Sequence, residues 1–404
     1  MGSFDYKPAT TPTVSMRWRK PFDRAEGLKP GIRVAEKNQS MVSPARASTY
    51  INSVGVSGIA ANSTTLVAVG KGAAGGATTT NLTSPDGVTW TQRNTLTSQF
   101  WEDVVWNGTN FVAIANGGSV AHSSDGITWT AGAAIPGGSG ANTIIVFNGK
   151  TYGFSMGVAT TSYGESSDSG ATWSTKTAPT SPTTPRLGAV VIGGVLYNLR
   201  GLSLYSTTDG TNWTLVKTFD KIGSYPAIPN FIAGNSKALI VGFFGGPTIV
   251  TSVSKNGGAT WTQFAALRFA NLPTESASIA GASSSTISGR SDYNVGIGVG
   301  RASGISLHRA LTMASGRMLI AGSLTEYDST GTTVASAYHA FVMTSADGSD
   351  WTAGLAGSCS DGASLVALCE YAGEVHVPMV NSLSAPTSVF HRLNNTFEEL
   401  IYDY

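Results

Sequence analysis

The chain is poor in charge. Of its 404 residues only 25 are Lys or Arg and 24 are Asp or Glu, a charged share of 12% against roughly 25% in an ordinary soluble domain. Hydrophobic residues still make up 41% and the net charge is only +1, so wholesale disorder is excluded. No run approaches the ~18 uninterrupted apolar residues of a membrane-spanning helix, and no membrane partner is expected. Cysteine is nearly absent. Cys359 and Cys369 are too few for a disulfide framework, and neither has metal-ligand spacing. Cys369, in the apolar run 365–371, reads as a small buried hydrophobe. The glycine-rich run 72–76 has no helix or Lys-Ser/Thr behind it, so no phosphate loop is expected. No metal or cofactor is expected. The N-terminus shows no apolar segment behind a basic one, so no secretory signal is expected. Abundant Gly, Ser and Thr in place of Leu, Glu and Lys argue against helices.

What the sequence does contain is a repeat. Ser84-Pro-Asp-Gly-Val-Thr-Trp-Thr91 recurs at Ser123, Asp125 and Trp129; at Ser166, Asp168 and Trp173; at Thr207, Asp209 and Trp213; at Ser254, Asn256 and Trp261; and at Ser345, Asp347 and Trp351. A second marker recurs with it, a short turn between two alternating apolar runs: Asn62-Ser63, Asn107-Gly108, Asn148-Gly149, Gly193-Gly194, Gly234-Asn235, Ser315-Gly316 and Ala372-Gly373. Such turns are hairpin signals, because type I′ and II′ turns need positive φ. Each period reads as four short strands, A to D, with the small turn joining A to B and the box joining C to D. Repeated seven times, this predicts an all-β, seven-bladed β-propeller, with six or eight blades as alternatives. The blades are expected near 48–95, 98–133, 140–178, 185–219, 226–266, 303–355 and 362–400. In the last period, which lacks a Trp box, Phe397-Glu-Glu-Leu-Ile401 is expected to supply the final strand.

The box has a physical rationale. Its Asp or Asn caps free N–H groups of the tight turn, its Gly takes a conformation barred to other residues, and its Trp fills the wedge between blades. Ser-x-Asp-x-Gly-x-Thr-Trp resembles the Asp box, or bacterial-neuraminidase repeat, of sialidase-like propellers, sortilin-type receptors, xyloglucan-hydrolysing enzymes and photosystem assembly factors. The resemblance covers 48–404. It implies fold rather than chemistry, because in that family the boxes stabilise turns away from the ligand-binding face.

A sialidase would need three arginines around a carboxylate, a Tyr nucleophile activated by Glu, and an acid/base Asp. The stretch 48–57, where the first arginine belongs, contains none, and Arg186 lacks the context. Glu102, Asp103, Glu326 and Asp328 are the carboxylates available to a two-carboxylate glycosidase, although spacing alone does not pair them. The five histidines, at 122, 308, 339, 376 and 391, lie in strand-like runs without a nucleophile elbow. No catalytic residue is therefore assigned. Two long stretches stand out on the face opposite the boxes, an insertion at 267–302 and a loop expected at 323–337. Their candidate contacts are Arg268, Arg290, Tyr293, Arg301, Glu326, Tyr327 and Asp328.

Residues 1–47 form a separate arm. They carry nine basic and four acidic residues, net +5, leaving 16 basic and 20 acidic, net −4, for the rest. The arm is proline-punctuated and expected to be extended, with Tyr6, Arg17, Trp18, Arg19 and Phe22 as interface anchors. Its basic character is too diluted to make nucleic acid the expected partner. In overall character the chain resembles virion proteins of tailed bacteriophages. That resemblance implies a non-enzymatic tail, nozzle, adaptor or host-contact component, made in the host cytoplasm and located in the virion. The arm would dock to other virion proteins and to copies of the chain in a ring, and a host-surface glycan is a further partner. The alternatives are a glycan-binding or glycan-cleaving sialidase-like propeller and a cytoplasmic assembly factor.

Overall fold

The computed structural model describes residues 14–16, 33–34, 39–41, 45–52, 54–72, 80–93, 100–136, 141–155, 162–179, 188–220, 229–245, 248–268, 301–327, 335–349, 351–359, 363–365, 367–381 and 387–394. Among them every regular element is a strand, and seven sheets of four or five strands form the blades of a β-propeller. The first blade runs from Val54–Ala61 on the inside through Leu66–Gly72 and Thr80–Ser84 to Thr91–Gln92. The next five repeat that order over 101–131, 141–177, 189–218, 229–268 and 301–359. Inner strands of successive blades pack on one another around the axis, and the last blade packs back against Val54–Ala61. This closes the ring.

Apolar content decides where each strand sits. Second strands such as Phe111–Ala115 are buried throughout, which suits an element covered on both faces. On Val195–Arg200, Leu196 faces the third blade with Phe147, Tyr152, Phe154 and Tyr163. Tyr197 and Leu199 face the fifth with Ile232, Val241 and Phe243. Outermost strands such as Thr91–Gln92 and Thr130–Ala131 are exposed.

Six of the seven A–B turns fall into two physical classes rather than the single primed-turn class expected, and Ser315-Gly316, with positive φ at Gly316 alone, belongs to neither. Asn148-Gly149, Gly193-Gly194 and Ala372-Gly373 have positive φ at both residues, as a type I′ turn requires. The turns at 62–65, 107–110 and 235–238 are longer. Their Asn62, Asn107 and Asn235 Oδ1 atoms each accept two backbone N–H bonds from the residues two and three positions on. A side chain there performs the work that backbone geometry performs in the first class.

The seventh blade differs most from expectation. Its inner strand comes in two pieces, Ala363–Leu365 and Cys369–Tyr371, both paired with Glu374–Asn381. After Thr387–Asn394 the fourth strand comes from the other end of the sequence. Ala45–Asn52 pairs antiparallel with it from Asn52 opposite Thr387 to Ala45 opposite Leu393. With no box to turn the chain back, the outer position is filled by the N-terminal region. The expected strand at 397–401 lies outside the described residues.

The N-terminal region also runs along the outer rim. Arg33–Val34 adds a fifth, parallel strand to the fifth blade, opposite Phe264 and Ala265. Gln39–Met41 pairs with Val14–Met16 and lies beside the sixth blade's outer strand.

Candidate functional site

The boxes are the best-defined chemical feature of the molecule. In the first, Asp86 Oδ1 accepts from the Val88 and Thr89 amides at 2.8 and 2.7 Å and from the Ser84 hydroxyl at 3.1 Å. Ser84 Oγ accepts from the Gly87 amide at 2.8 Å, and Trp90 Nε1 donates to the Gly87 carbonyl at 3.2 Å. Ser123, Asp125 and Trp129 repeat this set. In the longer box Asp168 instead accepts from the Thr172 amide and hydroxyl. Asn256 differs chemically, because its amide donates to the Thr260 hydroxyl at 2.8 Å. The backbone bonds from Thr89 and Val88 hold Asp86 down to about 2. Burial works the other way at Asp347, and is outweighed by Lys255 and Ser349, which bring it to about 2. Asp125, Asp168 and Asp209 are also held below the ordinary carboxylate range. These carboxylates are occupied by their own turns.

Each box also leans on the blade before it. Gly126 lies over Val67, Gly170 over Val112, Gly210 over Tyr152, Gly258 over Val216, Gly348 over Ile240, and Gly87 over His376 of the last blade. Hydrogen bonds follow the same direction. Asn81 Nδ2 reaches the Gly126 carbonyl at 3.0 Å, Asn148 Nδ2 the Thr208 carbonyl at 3.0 Å, and Tyr371 Oη the Pro85 carbonyl at 2.8 Å. Lys255 pairs with Asp347 at 2.8 Å. The box tryptophans fill the wedges. Trp90, Trp129, Trp173, Trp213 and Trp261 each pack against apolar clusters drawn from two blades, and Trp351 is buried.

One polar cluster was not foreseen. Glu165 is buried on the third blade, with Lys150 Nζ at 3.0 Å, Lys176 Nζ at 3.3 Å and Tyr152 Oη donating at 3.0 Å. Burial works to raise the Glu165 carboxyl, but these three donors outweigh it and leave it below the ordinary range. Burial, then the Glu165 charge, push the Tyr152 phenol well above its usual value. The pair has the Tyr–Glu form of a sialidase nucleophile with the wrong chemistry. Tyr152 is 0% exposed, is harder to ionise than a free phenol, and has lysines for neighbours. The signal that could have located it is register: the pairing of Lys150–Ser155 with Ser162–Ser166 places Tyr152 opposite Glu165.

The other candidates separate. Asp103, on the inner strand Trp101–Trp106, accepts from the Ile144 amide of the next blade at 3.3 Å and from its neighbour Val104 at 3.0 Å. It bridges inner strands, and Glu102 beside it is half-buried. The five histidines all lie in strands. Cys369 is buried, its thiol pushed up to about 12 by burial and then by Glu370.

The expected loop at 323–337 is partly strand. Residues 323–327 extend Met318–Tyr327 and 335–337 begin Ala335–Ser345, because both pair in register with the long flanking strands. That pairing sets Arg301 opposite Tyr327 and Ala302 opposite Glu326. Arg268 ends the fifth blade's strand Thr262–Arg268. Arg290, Tyr293 and Asp328, and the arm residues Tyr6, Arg17, Trp18, Arg19 and Phe22, lie outside the described residues. Among the described residues no group of three or more His, Cys, Asp or Glu side chains could hold a metal ion.

Known proteins match the fold. A family model described as the DUF6242 beta propeller domain matches residues 133–304, a span that holds the third to fifth blades. Among solved structures the chain is similar to YCF48 bound to D1 peptide, at 12% identity and a TM-score of 0.52 over 90% of this chain and 99% of that one. It is also similar to YCF48 from Cyanidioschyzon merolae, at 13% identity and a TM-score of 0.50 over 86% and 98%. At these identities the likeness is one of fold. No curated protein sequence matches the chain.

Proposed function

We propose that this β-propeller is a non-enzymatic component of a larger protein assembly, working through protein–protein contact, and that the assembly is the tail of a bacteriophage virion. The observation that carries the first part is the rim of the fifth blade. Its outer strand Thr262–Arg268 takes Arg33–Val34 as an added parallel strand, the mode by which sheet edges bind extended polypeptide. A propeller of this fold, YCF48, is described as bound to D1 peptide, which supports polypeptide as the ligand class. The virion reading rests on composition: a low-charge, Gly-rich β body of net −4 behind an arm of net +5.

The test has two arms. Sedimentation and electron microscopy of the full chain and of residues 33–404 should show ordered oligomers that the shorter chain forms less well. Incubation with sialylated and bacterial polysaccharides should release no sugar. Steady turnover of any glycan, or a full chain that stays monomeric at every concentration and is missing from purified particles, overturns the proposal.

A further inference from the structure

The seam between the last and first blades is built from different chemistry than the others. Beneath the box glycines of the other five box-bearing seams lie Val67, Val112, Tyr152, Val216 and Ile240, none of which titrates near neutral pH. Beneath Gly87 lies His376, so close that a Cβ on Gly87 would sit 1.9 Å from its Cε1. His376 is 1% exposed and its Nδ1 has no hydrogen-bond partner. The imidazole is wedged between two blades with one nitrogen buried and unpaired.

Its charged and titratable surroundings, among the described residues, come from every element packed there. Glu374 lies on its own strand. Cys369 is directly opposite on one neighbouring strand, with Tyr371 beside it, and Arg392 is directly opposite on the other. Arg392 pairs with Glu374 at 3.3 Å. Asp86 belongs to the box overhead. Burial, assisted by Arg392, disfavours the charged ring; Glu374, the Tyr371 backbone and Asp86 favour it; burial prevails and the ring's pKa lies below its ordinary 6.5.

We infer that this seam is an acid-sensitive latch, in which proton uptake by His376 loosens the contact between strand Glu374–Asn381 and the box at 84–90. The neutral ring fits under Gly87. An imidazolium there faces the Arg392 guanidinium and needs a partner for a second N–H, which the closed seam does not offer. Water reaches the ring only if the box lifts. The sign follows from linkage. The closed seam binds the proton less well than an open one, so its stability is complete above about 6.5 and falls as pH drops below that value.

Hydrogen exchange on the full chain at pH 7.5 and 5.5, corrected for intrinsic rates, tests this. Protection across 84–90 and 374–381 should fall by up to about tenfold per pH unit below about 6.5, while the boxes at 123–129 and 166–173 keep theirs. His376→Leu, which makes the seam apolar like its neighbours, should abolish the difference. Loss that is uniform over all boxes, absent, or unchanged in His376→Leu overturns the inference. If that variant does not fold, the wild-type His376 titration followed by NMR decides: a midpoint below 6.5 is expected, and one at or above it overturns the latch.

Discussion

Replacing Gly126 with Ala tests whether the boxes hold the ring together or merely close their own hairpins. Gly126 has φ +73°, where an L-residue costs roughly 1–2 kcal/mol. The new Cβ would also sit 2.4 Å from Val67 Cγ2 of the preceding blade. Val67 is fully buried among Trp101, Phe111 and Ala113 and has nowhere to retreat. Overpacking of that kind adds about 1–3 kcal/mol, for a total of about 2–5 kcal/mol. Gly149 provides the control, with φ +71° and nothing within 4 Å of its would-be Cβ. Gly149→Ala should carry only the conformational part, about 1–2 kcal/mol. Urea unfolding followed by tryptophan fluorescence gives both values from the shift in midpoint at unchanged slope. Trimming the neighbour in Gly126→Ala/Val67→Ala should recover about 1–3 kcal/mol relative to the sum of the single changes. Equal losses at 126 and 149, or strict additivity in the double variant, would refute the claim that boxes lean on the blade before them.

Three further outcomes are expected. Glu165→Gln should cost about 2–4 kcal/mol at pH 7, since a buried charge that satisfies two lysines and a tyrosine is lost. Because the Glu165 carboxyl lies below 4.5 in the fold, its contribution is complete above that value and lost as pH falls through the lowered one; a gap from wild type that stays constant from pH 7 to pH 3 would contradict this. Tyr163→Phe removes the hydroxyl that donates to the Gly210 carbonyl and accepts from Trp213 Nε1. Trp213 should then take the Gly210 carbonyl directly, as Trp90 and Trp129 do in their boxes, holding the loss near ~1 kcal/mol; a loss above about 3 kcal/mol by denaturation would show that it does not. Deleting residues 1–32 should leave a cooperative melt, whereas deleting 1–52 removes the last blade's outer strand and should lower the midpoint sharply, with partial recovery on adding a peptide of residues 45–52.

The blades were legible in the sequence because their markers are local. Asp-Gly before Thr-Trp and paired Asn/Gly turns act over four to eight residues, so the second to fifth blades lie within a few residues of expectation, whereas the first starts at Val54 because 48–52, expected in it, belongs to the seventh. The seventh blade's last strand was not legible. Ala45–Asn52 carries no box or hairpin turn of its own, its partner Thr387–Asn394 lies more than 330 residues further along the sequence, and nothing local distinguishes it from 397–401 as the closing strand. The sixth blade misled for another reason. The stretch at 323–327 looked like loop by composition, yet long pairing with 301–306 on one side and 335–340 on the other keeps it in the sheet. Glu165 escaped notice because one carboxylate next to a box serine carries no mark of burial. Only register brings Tyr152 across from it.

Where the seventh blade should carry a box, it has none, so nothing of that kind leans back on the sixth; instead Ala363–Leu365 packs against the sixth blade's strands and Glu370 accepts from the Ala314 amide at 2.6 Å. The N-terminal region crosses the same place from outside, with Gln39–Met41 beside the sixth blade and Ala45–Asn52 inside the seventh. This arrangement imposes an order in time. The strand that completes the circle, Ala45–Asn52, is synthesised before six intervening blades, and its partner Thr387–Asn394 after them. Six blades can stack in sequence behind it, but the strand must wait as an open edge until its partner is made.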